Sequence, residues 1–128
     1  MIVDTSAVLA ILFHESDAER YARAITKASR CRMSVASLVE TTIVLESRSG
    51  AAAGYELDAF LEDAAIELEP VTVAQAQAAR RAWRRFGKGN HPAGLNFGDC
   101  FSYALAESRR EPLLFKGREF KLTDVEAA

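Results

Sequence analysis

Met1-Ile2-Val3-Asp4-Thr5-Ser6-Ala7-Val8-Leu9-Ala10-Ile11-Leu12-Phe13 opens the chain and decides its fold class. Three apolar residues stop at a carboxylate. Two good helix N-caps follow, and then seven residues that are all apolar. This order predicts a buried strand feeding directly into a helix. Asp4 then falls at the carboxyl end of a strand, where open α/β sheets bind their ligands.

Working outward, Ser16 with Glu19 three residues on has capping-box spacing and predicts a second helix reaching about Ser29. Cys31 to Ser34 reads as a strand, Val35 to Ser49 as a helix ended by Gly50, and residues 52–64 as a helix with Tyr55, Leu57, Phe60 and Leu61 on its apolar side. Ala65 to Val71 alternates apolar and acidic residues and predicts an edge strand. Thr72 caps a helix over Val73 to Phe86. The Gly- and Pro-containing stretch 87–94 is a loop, Phe97 to Arg110 a helix, and Pro112 to Phe115 a last strand, with the tail trailing off after Asp124. Phe13, Tyr21, Phe60 and Tyr103 read as core. Strands alternating with helices predict one α/β domain over residues 1–128: an α/β/α sandwich around a parallel sheet of four or five strands.

At 128 residues, 49% of them apolar, the chain suits one domain that needs no disulfide or structural metal to fold. The apolar runs are too short for a bilayer, and Asp4 sits where a signal peptide would be positive, so a cytoplasmic location is expected. Cys31 and Cys100 form no CxxC pair and are expected to be buried and reduced. A net charge of −2 excludes a general polyanion binder. From Val71 to Gly98, however, there is no Asp or Glu, while Arg80, Arg81, Arg84, Arg85 and Lys88 all lie there. That strip is either a solvated helix face or a set of phosphate contacts. Trp83 within it has Ala79, Ala82 and Phe86 at helical spacing, which favours packing over base stacking.

Three carboxylates occupy costly places. Asp4 ends an apolar strand, Glu40 shares a helix face with Ala36, Ile43 and Val44, and Asp99 lies in the first turn of a helix behind a plausible cap at Asn96. Each has a plain alternative: Asp4 as a cap, Glu40 as a surface residue, Asp99 as a capping-box acid favoured by the helix dipole. If the three converge, two carboxylates about 4 Å apart repel by about 4 kcal/mol at an effective dielectric near 20. Hard cations with oxygen ligands, Mg²⁺ or Mn²⁺, would relieve that repulsion. Thr5 and Ser6 would add hydroxyls beside the ion.

The segment Met1 to Ala7, with Glu40 inside Ser37-Leu38-Val39-Glu40-Thr41, resembles the first half of a PIN domain. Leu95-Asn96-Phe97-Gly98-Asp99-Cys100-Phe101, running on to Tyr103-Ala104-Leu105-Ala106, is similar to the VapC branch of that family, as is Glu111-Pro112-Leu113-Leu114-Phe115-Lys116-Gly117. The resemblance spans essentially the whole chain. It implies a metal-dependent endoribonuclease toxin with Asp4, Glu40 and Asp99 as metal-binding acids and Mg²⁺ or Mn²⁺ as cofactor. It further implies transfer or ribosomal RNA as substrate, a VapB-type antitoxin as partner, and a homodimer. VapC relatives commonly place two aspartates and Phe after Lys-Gly. Here Arg118 and Glu119 precede Phe120, so either Glu119 stands in as the fourth acid or that metal position is weakened, while Lys116 and Arg118 join the candidate RNA contacts.

Other readings fit less well. A haloacid-dehalogenase-like phosphatase would want an aspartate at position 6, where Ser6 stands, and a receiver domain would want its aspartate at a mid-chain strand end, whereas Asp58 and Asp63 fall in a helix. No phosphate-binding glycine motif is present. His14 and His91 invite a cyclic-phosphate ribonuclease, but one closes a helix and the other lies in a loop. A catalytically inert module that only titrates its antitoxin is the remaining alternative.

Overall fold

A computed structural model describes all 128 residues. The chain runs β1 (Ile2–Val3), α1 (Thr5–Leu12), α2 (Ala18–Lys27), β2 (Cys31–Ser34), α3 (Val35–Ser49), α4 (Ala53–Asp63), β3 (Ile66–Glu69), α5 (Val73–Phe86), α6 (Phe97–Arg109) and β4 (Leu113–Leu114), with a 3₁₀ turn at Phe120–Leu122. All strand pairs are parallel and the sheet order is β3-β2-β1-β4. The first three strands step outward in one direction, and the chain then crosses back to lay β4 on the far side of β1. The order therefore reverses beside β1, and a crevice opens beyond the carboxyl ends of β1 and β4. Asp4 is the residue that leaves β1 there.

Side-chain alternation along the strands splits the core in two. Ile2 and Leu113 enter a cluster with Ala78, Ala82, Phe86, Leu105 and Phe120 beneath α5 and α6. Val3 and Leu114, one residue on, enter the opposite cluster with Val8, Met33, Leu45, Leu57 and Ile66 beneath α1 to α4. This is the expected sandwich, with four strands in the sheet. Tyr21 and Tyr103 are buried, and Phe13 and Phe60 are partly so. Both cysteines are buried and free. No helix is long and apolar enough to cross a membrane.

Several local expectations are corrected. Helix α2 starts at Ala18 without a side-chain cap, because Glu19 pairs with Arg23 instead of closing a box with Ser16. Tyr55 points outward from α4, and the inward face is Ala53, Leu57 and Leu61. Trp83 is 48% exposed rather than packed away. The tail does not trail off: Leu113 N–H donates to the Glu126 carbonyl, Ala128 N–H donates to the Leu113 carbonyl, and the Asp124 carboxylate accepts from Tyr103 Oη at 2.5 Å and pairs with Arg85 at 2.7 Å.

Candidate functional site

Asp4 both caps α1 and lines the crevice. Its Oδ2 accepts from Ser6 N–H at 2.9 Å and from Ser6 Oγ at 2.6 Å, which starts α1. Its Oδ1 accepts from Ser102 Oγ on α6 at 2.6 Å. The residue is only 2% exposed. Ser6 Oγ in turn accepts from Lys116 N–H at 2.9 Å, which ties the turn after β4 to the same point.

Asp99 also caps and faces the crevice. Asn96 Oδ1 accepts from Asp99 N–H, and Asp99 Oδ2 accepts from Asn96 N–H, both at 2.9 Å, so the capping box is complete. That leaves Oδ1 without a protein partner. Burial drives its pKa up to about 7; the cap N–H opposes the rise, and the Asp4, Glu40 and Glu119 carboxylates add to it. Glu40, in the second turn of α3, rises mainly through burial, with the Thr5 hydroxyl opposing and Asp4 adding. Its carboxylate lies against Gly98, where a β-carbon would collide with it. Glu119 is exposed and folds back across Gly117, whose φ is +106°, to accept from Arg118 N–H at 3.0 Å.

The carboxylates of Asp4, Glu40 and Glu119 thus all bear on Asp99. None has an ion-pair partner, whereas Glu67, Glu69 and Glu111 are matched by Arg30, Arg32 and Arg109. Carboxylates held near one another without a cation repel. No three of them close around a single point. The donors are carboxylate and hydroxyl oxygens with no Cys or His among them, the chemistry that suits a hard divalent ion. The residues present fit such an ion.

An open cleft of about 600 Å³ is lined by Asp4, Ser6, Asn96, Asp99 and Glu119 and also by the basic residues Lys88, Lys116 and Arg118. Glu40 stands behind this wall rather than on it. The basic candidates separate. Lys116 Nζ is held by Glu15 and Asp17, while Arg118 and Lys88 have no ion pair. Arg85 is engaged by Asp124 and lies over the Phe86 ring. Arg80 and Arg84 flank a second, apolar groove with Trp83, Phe97 and Phe101, and Arg81 is exposed without an ion pair. Neither histidine lines the cleft: His91 Nδ1 accepts from Ala93 N–H and its ring meets the Phe86 ring edge-on, while His14 is exposed after α1.

Sequence reasoning missed Gly98, Ser37, Thr41 and Ser102. Ser37 and Thr41 are fully buried; Thr41 Oγ1 donates to the Ser37 carbonyl at 2.7 Å and lies 3.1 Å from Thr5 Oγ1. The signal was present, since Ser102 follows Asp99 by three positions and Ser37 precedes Glu40 by three, each on the same helix face.

Comparison with known proteins places this geometry. The family described as PIN domain matches residues 1–126. Ribonuclease VapC of Mycolicibacterium smegmatis is 55% identical over 127 residues, covering 99% of this chain and 98% of that protein. Ribonuclease VapC28 of Mycobacterium tuberculosis is 54% identical over 129 residues, covering 100% of this chain and 97% of that protein. Among solved structures, the sarcin-ricin loop cleaving toxin VapC20 of Mycobacterium tuberculosis superposes with a TM-score of 0.81 at 19% identity, covering 99% of this chain and 97% of that one. VapBC2 from Rickettsia felis, bound to a promoter DNA fragment, gives 0.74 at 15%, covering 99% of this chain and 96% of that one.

Proposed function

The chain belongs to the PIN-domain family, within its VapC ribonucleases, and from that premise we propose that it is a Mg²⁺- or Mn²⁺-dependent endoribonuclease toxin. It hydrolyses RNA phosphodiesters to 5′-phosphate and 3′-hydroxyl ends, inhibits translation or growth, and is neutralised by a VapB-type antitoxin. The observation that carries the reading is the set of four carboxylates, Asp4, Glu40, Asp99 and Glu119, gathered at the sheet's switch point with no cation paired to any of them.

Asp4 and Asp99 would hold the ion from the cleft wall, each already fixed through a helix cap. Glu40, held against Gly98, would support them from behind, with Glu119 as the fourth acid. When bound, a divalent ion activates water and neutralises charge on the phosphodiester. Thr5, Ser6 and Asn96 orient the acids. Arg118 and Lys88, which line the same cleft without an ion pair, receive backbone phosphates, and the planar guanidinium of Arg118 suits two-point contact. Transfer or ribosomal RNA is the substrate class, and the cytoplasm the place of action. Apolar residues left exposed on α3 (Val39 and Ile43) and on α5 and α6 (Trp83 and Phe97) support a homodimer.

The test is incubation of purified, antitoxin-free protein with structured RNA, with Mg²⁺ or with EDTA, followed by analysis of the ends. Mg²⁺-dependent cuts bearing 5′-phosphates are expected, with a 2′-O-methyl group at the cut position tolerated unless it clashes sterically. Products ending in 2′,3′-cyclic phosphate would overturn the mechanism. Absence of any cleavage would favour an inert module acting through its antitoxin.

A further inference from the structure

Behind Asp4 lies a pair of buried hydroxyls that no acid-cluster reading uses. Ser102 is 1% exposed and Ser37 is fully buried, yet neither serves as a helix cap. Ser102 Oγ donates to Asp4 Oδ1 at 2.6 Å, and the two serine oxygens are 3.1 Å apart. A hydroxyl has one proton. Since that of Ser102 goes to Asp4, Ser37 must be the donor to Ser102. The bonds therefore run from α3 through α6 to the carboxylate that ends β1.

A carboxylate offers about four lone-pair directions. On Asp4, Ser6 N–H and Ser6 Oγ take two on Oδ2, and Ser102 takes one on Oδ1. One direction on Oδ1 is left. The geometry points to Ser102, supported by Ser37, as the positioning residue that makes Asp4 a one-point ligand and aims its remaining lone pair. This rests on the metal-site reading above and adds to it the residue that sets the ligand's direction. Groups that orient a metal-binding side chain from behind typically matter about 10- to 100-fold in metal affinity or activity.

The experiment is titration of the full-length, antitoxin-free protein with Mn²⁺ alone, by calorimetry and by electron paramagnetic resonance. Wild type is compared with Ser102→Ala, Ser37→Ala and Asp4→Asn, and melting is followed in EDTA. Ser102→Ala is expected to weaken Mn²⁺ binding by about 10-fold or more. Ser37→Ala should weaken it less, because Ser102 keeps its own proton for Asp4. In cleavage assays Ser102→Ala should lower kcat, with recovery at high Mn²⁺ and an unchanged KM for RNA. Wild-type Mn²⁺ affinity in Ser102→Ala, with affinity lost in Asp4→Asn, would overturn the positioning role and leave the site intact. Wild-type affinity in Asp4→Asn would instead defeat the site itself. If Ser102→Ala does not fold, Ser37→Ala decides: unchanged Mn²⁺ affinity there overturns the relay.

Discussion

Replacing Asp99 with Asn separates the cost of the acid cluster from its use. Folded Asp99 titrates at about 7 against an ordinary 3.8, so between those values the folded chain holds a proton that the unfolded chain has released. Stability of the metal-free protein therefore falls as pH rises from about 4 to about 7, and then levels off. At about 1.36 kcal/mol per pH unit, the full cost is about 4 kcal/mol above pH 7, of which roughly 1.5–2 kcal/mol is already present at pH 5. Asn removes the charge and keeps an oxygen to accept Asn96 N–H, so the cap survives. Loss of the negative charge near the start of α6 opposes the gain by about 0.3–1 kcal/mol. Water in the open cleft trims the rest. In EDTA, urea unfolding should find Asp99→Asn more stable than wild type, by a margin that widens by about 1–2.5 kcal/mol from pH 5 to pH 8. Mn²⁺ at about 1,000 times its Kd should then stabilise wild type by about 4.1 kcal/mol and reverse the order at pH 8. A margin that stays flat with pH would refute the argument that Asp99 is strained by burial and by its acidic neighbours.

Asp4→Asn and Glu40→Gln should each abolish RNA cleavage while circular dichroism stays native; full activity in either would remove that residue from the site. Gly98→Ala should lower cleavage at least about 10-fold by displacing Glu40, with stability within about 1 kcal/mol of wild type because the helix gains what the collision costs; normal activity would mean that Glu40 works from elsewhere. Arg118→Asp should raise Mn²⁺ occupancy in calorimetry, and Glu119→Gln should matter less than Asp99→Asn; two tight sites in the substrate-free wild type would contradict this. Lys88→Ala and Arg118→Ala should each flatten the salt dependence of RNA binding by up to roughly 0.7 in log–log slope. Arg85→Ala should leave that slope unchanged, because its charge is already spent on Asp124.

The sandwich was legible because its signals are local. A strand that stops at Asp4, the caps at Thr72 and Asn96, and the stop at Gly50 each act within a few residues. The misreadings lie where distant residues override a local preference. Ser16 and Glu19 had the spacing of a capping box, but Lys116, from beyond β4, takes Glu15 and Asp17, and Glu19 pairs along its own helix. The tail reads as polar and unstructured, yet it is held by an open sheet edge at Leu113 and by the buried hydroxyl of Tyr103.

The candidate site divides along the same line. Asp4 and Asp99 stood out because a carboxylate at a strand end or helix start is conspicuous, and their capping readings were never true competitors. Each spends its Oδ2 on a cap and keeps Oδ1 free of it, so one side chain both starts its helix and lines the cleft. Glu119 was conspicuous only as a departure from a pattern, and its effect on Asp99 comes from the turn at Gly117. Ser37, Gly98 and Ser102 were silent because their meaning arises only where α3 crosses α6. There the missing side chain of Gly98 admits Glu40, and one turn further along α6 Ser102 reaches Asp4. A helix face that alternates a gap with a hydroxyl has no local reason for that pattern. Its reason is the carboxylates it meets, which is why the residues that aim the acids are harder to read than the acids themselves.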